Sequence, residues 1–163
     1  MKELVEKISS YNLFNNLFPG ILFVVLITKV TNYNLIQEDI IIGVFLYYFI
    51  GMVISRLGSL ILEPFLKKIG FVKFANYPDF IVASEKDTKI IEFSEINNTY
   101  RTVAMALISV ATLKLYEHCV DKFAYHTDTD LLALVVLLIC LFIFSYKKQT
   151  AYITKRINKI VNQ

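Results

Sequence analysis

The residues best able to do chemistry in this chain fall into two groups. His118 and His126 stand with Cys119, Asp121, Asp128 and Asp130, and Arg56 shares a stretch with Glu63. The first group has the right residue types for a metal, but its spacing matches no recognised ligand pattern. Acidic loops holding a histidine or two need no ion. The second group could form an acid–base pair at the end of an apolar helix. No Gly-x-x-x-x-Gly-Lys phosphate loop, Gly-x-Ser-x-Gly elbow or His-Glu-x-x-His sequence occurs. Neither a catalytic residue nor a cofactor is assigned on these grounds, and enzymatic activity is not expected.

The elements that must position these residues are apolar. Hydrophobic residues make up 56% of the chain and charged ones 19%, against about a quarter charged in an ordinary soluble domain. The excess is concentrated in Leu17–Ile36, Asp39–Ser59, Thr102–Val120 and Asp130–Tyr146. Each is close to the ~20 residues that a helix needs to cross a ~30 Å hydrocarbon core. The fold class that follows is all-α: an integral membrane four-helix bundle with a small helical cytoplasmic segment between spans two and three. Its expected parts are an interfacial helix (1–16), a hairpin of spans one and two (17–59), the central segment (60–101), a second hairpin (102–146) and a basic amphipathic tail (147–163).

Lys and Arg placement sets the orientation. Fourteen of the seventeen basic residues lie in the N-terminal segment, the central segment with its borders, and the tail; only Lys29, Lys114 and Lys122 belong to the two short loops. Those loops also carry Glu38, Asp39, Glu117, Asp121, Asp128 and Asp130. Both termini and the central segment are therefore expected on the cytoplasmic side of a multi-pass protein. No cleavable signal is expected, because Glu3 and Glu6 precede the first apolar run and no small-residue cleavage site ends it. Cys119 and Cys140 sit at different depths, which argues against a disulfide, and Cys140 reads as a small hydrophobe.

Within this frame the spans differ. Asn15, Asn16 and Pro19-Gly20 mark a turn or kink at the entry to span one. Span two carries Gly51, Ser55 and Ser59 four apart, a stripe that lets helices approach closely, within one monomer or between copies. Arg56 lies near its cytoplasmic end and is read as snorkelling rather than gating, and Glu63-Pro64 ends or kinks the helix. Lys67-Lys68-Ile69-Gly70 reads as a basic helix end closed by glycine. Tyr77-Pro78-Asp79 starts a short helix, Glu85–Lys89 forms a charged turn, and Ser94 caps a helix that runs into span three. That span is the most polar, and Lys114 and Glu117 can pair on it. Span four is the lipid-facing helix. In the tail, Lys147, Lys148, Lys155, Arg156 and Lys159 are placed to contact anionic head groups of the inner leaflet, with a partner-binding helix as the alternative. No interleaving of basic and aromatic residues suited to stacking bases stands out, so lipid is preferred over direct nucleic-acid binding.

The run Tyr11-Asn-Leu-Phe-Asn-Asn-Leu-Phe-Pro-Gly20, with Asn97-Asn98-Thr99-Tyr100-Arg101 before span three, resembles a group of small bacterial four-span proteins of phage-defence loci. That group includes membrane accessory proteins found beside RNA-targeting CRISPR effectors. The resemblance implies an inner-membrane accessory or effector that forms homo-oligomers and alters membrane permeability when a cytoplasmic protein partner engages the central segment. Arg56, Glu63, Asn97, Asn98 and Arg101 are the residues placed for that coupling. A stand-alone channel or transporter, and a scaffold tethering a soluble partner, are the competing readings.

Overall fold

A computed structural model describes residues 13–123 and 130–161. Most of the expected interfacial helix (residues 1–12), together with His126 and Asp128, lies outside them; Lys159 is on a helix, but its side chain is not described. The described residues are all helical or connecting segments, in the order α1 (Phe18–Val30), α2 (Ile40–Leu57), α3 (Glu63–Lys68), α4 (Tyr77–Lys86), α5 (Lys89–Phe123) and α6 (Asp130–Val161). A π-helical turn, Leu13–Leu17, leads into α1, and a second, Gly58–Leu62, joins α2 to α3 without a break. Three helical stretches are long and apolar enough to cross a membrane: Ile40–Lys68, Lys89–Val120 and Ala133–Asn158. The first apolar helix, Asn15–Val30, is shorter, about 24 Å at 1.5 Å per residue.

Both π turns have the same local cause. Each ends two residues before a proline, Leu17 before Pro19 and Leu62 before Pro64. Proline lacks the N–H that closes the next helical ring and crowds the carbonyl one turn back. Widening the turn relieves the crowding while the ladder continues. The Glu63 N–H accordingly reaches the Gly58 carbonyl, five residues back. In this register Pro64 would have donated to Ser59, whose carbonyl is left free. Glu63-Pro64 therefore does not end the helix, and the stop comes at Gly70. There φ is 75°, Phe71 N–H donates to the Leu66 carbonyl at 3.0 Å and Gly70 N–H to the Lys67 carbonyl at 3.1 Å, a Schellman closure.

Other boundaries also move. Of the turn or kink expected at Asn15 and Asn16, the turn does not form: both belong to the π-helical entry to α1. That helix stops at Val30 rather than Ile36, because Thr31 is extended and the polar run Asn32–Asn34 does not continue it. Asp39 caps α2, its carboxylate accepting from Ile41 and Ile42 N–H at 2.8 and 3.0 Å. The helix leading into the third apolar stretch begins at Lys89 rather than Ser94, with Asp87 accepting the Lys89 N–H at 3.0 Å. The fourth apolar stretch and the tail form one unbroken helix, α6, rather than a span followed by a separate surface helix.

Helices α1, α2 and α5 pack on one another, and α6 lies against α2 and α4. The core holds Phe23, Val24, Ile27, Ile54, Ala106 and Val110. Outward faces stay apolar: Ile40 is 81% exposed, Phe45 72% and Leu137 66%. Exposed apolar surface of this extent suits contact with lipid or another protein better than with water.

Candidate functional site

Close approach of α1 and α2 depends on two glycines. A Cβ on Gly51 would lie 1.7 Å from the Asn16 carbonyl oxygen, and one on Gly20 1.8 Å from that of Tyr47. The upper part of the small-residue stripe is thus filled from within the chain. Beside this contact lies a buried polar network. Asn15 Nδ2 donates to Ser55 Oγ at 3.2 Å and to Asn16 Oδ1 at 3.1 Å, and Asn16 Nδ2 donates to the Tyr48 hydroxyl at 3.3 Å. Thr102 Oγ1, fully buried, reaches both Asn15 Oδ1 (3.0 Å) and the Asn98 carbonyl (2.8 Å). Three helical elements are therefore joined by amides and hydroxyls away from water, where each unpaired group would cost ~1–3 kcal/mol.

One turn further along, the network gives way to a charged clasp centred on Glu63, which is 7% exposed. Arg101 Nη1 lies 2.5 Å from Glu63 Oε2, Lys67 Nζ 2.8 Å from Oε1, and Lys148 Nζ 3.8 Å from Oε1. Lys148 also donates to the Ser59 carbonyl at 2.6 Å and its hydroxyl at 2.8 Å. The carbonyl freed by Pro64 is thus satisfied by a side chain from α6. Gly58 faces Arg101, whose Cγ would be in ordinary contact, at 3.4 Å, with a Cβ there. The clasp ties α3, α5 and α6 through a single carboxylate. Short helix α4 lies beside it: Tyr77 packs against Tyr152 of α6 with ring centroids 5.4 Å apart and the rings tilted by 38°, and in the segment before α4 the Phe74 ring centroid lies 4.0 Å from Lys67 Nζ.

The residues expected to act in coupling separate. Glu63 and Arg101 meet; Arg56 does not join them. Half-buried, Arg56 instead lines a small cavity with Ser59, Leu60, Ser145, Lys148, Gln149 and Tyr152. It makes no ion pair among the described residues. Asn98 is half-buried, its carbonyl in the network, and Asn97 is exposed. Of the five tail cations, Lys147, Lys155 and Arg156 are exposed, whereas Lys148 turns inward and is not free for a head group in the way its neighbours are. At the other end of α5, Glu117 accepts Lys114 Nζ at 2.7 Å and the Asn32 N–H at 2.6 Å, which pins the segment after α1. His118 and Cys119 are exposed nearby, and Cys140 is free. No group of three potential metal ligands comes together among the described residues.

Sequence reasoning overlooked Asn15, Asn16, Tyr48, Thr102 and the inward role of Lys148. Helical spacing held a signal for two of them. Asn98, Thr102, Ala106, Val110, Leu113 and Glu117 recur every three or four residues, as do Leu141, Ser145, Lys148 and Tyr152. Each series is the face its helix turns toward the bundle.

Among the described residues, the fold is all-helical with three helices long and apolar enough to cross a membrane. No family model, curated protein or solved structure matches it.

Proposed function

We propose that this is a four-span protein of the bacterial inner membrane, with both termini and the segment between α2 and α5 in the cytoplasm. In this reading α1 is the first span. Its shortness is tolerable because α2 and α5 shelter it and its polar ends are bonded inside the bundle. The excess of Lys and Arg around the Glu63 end supports the orientation.

Within that membrane the protein acts as an accessory or effector of an anti-phage defence system. It forms homo-oligomers and changes membrane permeability when a cytoplasmic partner engages the central segment. The resemblance of Tyr11–Gly20 and Asn97–Arg101 to such proteins supports the defence role. The observation that carries the coupling is the clasp: one buried carboxylate holds α3, α5 and α6, so a partner pulling on α3 or α4 acts on two long helices at once. The core of a single subunit is filled by Phe23, Val24, Ile27, Ile54, Ala106 and Val110. Any conducting path would therefore run between subunits, through outward faces such as that of Ile41 and Phe45.

Membrane potential during phage challenge tests the function. Depolarisation that needs both this protein and infection, and is lost in Arg101→Gln at equal membrane abundance, is the expected result. Depolarisation on expression alone would favour a stand-alone channel. Liposomes that stay tight with every partner supplied would leave only the scaffold.

A further inference from the structure

Between α2 and α6 runs an apolar cleft of about 550 Å³, lined by Val53, Leu57, Leu60, Leu137, Leu141 and Phe144 among others. Its volume falls within the roughly 300–1,000 Å³ of ordinary ligand clefts. On α6 the lining runs from Leu134 to Phe144, about 15 Å of helix, which is half of a ~30 Å hydrocarbon core. The next residue, Ser145, begins the small polar cavity, and Leu60 lines both. An apolar trough one leaflet deep thus opens directly onto a basic cap.

The cap is over-supplied with positive charge. Arg56, Lys67, Arg101 and Lys148 surround or adjoin it, and Glu63 is the carboxylate that pairs with three of them. Arg56 has no carboxylate partner among the described residues, although it is half-buried. Ser59, Gln149 and Tyr152 add neutral hydrogen-bonding groups around it. The cavity itself has room for about 30 Å³, the share of one water in the liquid (≈ 30 Å³), so a larger anion would sit across its mouth. Basic recesses between helices on the cytoplasmic side of a membrane suit lipid phosphates.

We propose that this composite cleft binds one anionic phospholipid, its acyl chain along the α2–α6 trough and its phosphate against Arg56 at the mouth of the small cavity. The inference rests on the membrane placement proposed above and is independent of the defence role. A bound lipid would wedge α6 against α2 and bring the leaflet's charge to the clasp, making the clasp responsive to lipid composition.

Native mass spectrometry of the full chain in detergent, after delipidation and titration with phosphatidylglycerol or phosphatidylcholine, tests it. One phosphatidylglycerol should be retained per chain in preference to phosphatidylcholine. Arg56→Gln should weaken that retention about tenfold, the worth of one charge-assisted hydrogen bond. Leu137→Trp, at a 66% exposed position that can change without disturbing the core, should fill the trough and displace lipid while circular dichroism stays unchanged. Equal retention of the two lipids, or retention untouched by both variants, overturns the proposal. So does inorganic phosphate competing as well as the lipid, which would mean an anion site without a trough, or a lipid-free dimer that closes the cleft with a second copy. Release of the protein from membranes by carbonate would instead strike at the membrane placement itself.

Discussion

Glu63 is the residue on which the charged end depends. Taking a carboxylate out of water is tolerable only while its cations stay in place, and removing one partner of a buried pair costs about 3–5 kcal/mol. Lys67 is substantially exposed, so its share is small; Arg101 and Lys148 carry the rest. Glu63→Ala should lower the thermal midpoint in detergent markedly, because it leaves Arg101 and Lys148 without their carboxylate. A midpoint unchanged by Glu63→Ala would show the clasp to be incidental. The neutral network makes a smaller claim. Thr102→Val leaves Asn15 Oδ1 without its donor and should cost ~1–3 kcal/mol, whereas Thr102→Ser should be near neutral in the same melt. Gly51→Ala forces a methyl into the Asn16 carbonyl and should destabilise by at least the ~1–3 kcal/mol of ordinary overpacking. Gly43→Ala, whose Cβ would meet the Tyr47 ring at 3.4 Å, is the control. Equal melting of the two alanine variants would contradict the close packing of α1 on α2.

At the scale of elements, the two prolines explain more than their sequence context suggests. Proline inside a helix ordinarily costs about 3 kcal/mol relative to alanine. Here the π turn absorbs the clash and Lys148 occupies the freed Ser59 carbonyl, so most of that cost is already offset. Pro64→Ala should accordingly raise stability by less than ~1 kcal/mol; a gain near the full propensity difference would mean that the turn and the lysine compensate nothing. Much of the helical layout was legible beforehand because apolar runs, the Gly70 stop and the Lys114–Glu117 spacing are local signals. The start of α5 was missed because Asp87 and Ser94 are both competent caps, and tertiary packing rather than propensity chose the earlier one. The inward turn of Asn15 and Asn16 was missed because asparagines before proline-glycine read as a turn. Only the arrival of Ser55 and Thr102 from elsewhere in the chain gives them partners. The Glu63–Arg101 pair was half legible: both residues stood out as ionisable groups at apolar borders, but their meeting depends on the π register and on the packing of α5 against α2.

For the whole molecule, the two polar clusters lie at opposite ends of the apolar core. Arg101 and Glu117 are about 24 Å apart along α5, slightly less than a ~30 Å hydrocarbon core. This separation suits a bundle held by polar clasps near both membrane faces and by apolar packing between them. Because α6 is unbroken, its exposed cations Lys147, Lys155 and Arg156 project beyond the apolar part along the same axis. The proposed crossing of α1, the shortest of the four apolar helices, is tested most directly by accessibility. Single cysteines at Glu3, Asn34, Lys86 and Lys155, in a chain whose Cys119 and Cys140 are replaced by alanine, can be labelled in intact cells with a membrane-impermeant maleimide. Labelling at Asn34 alone, with the other three reached only after the membrane is opened, is the expected result. Labelling of Glu3 together with Asn34 in intact cells would contradict it, and would leave α2, α5 and α6 as the helices that cross.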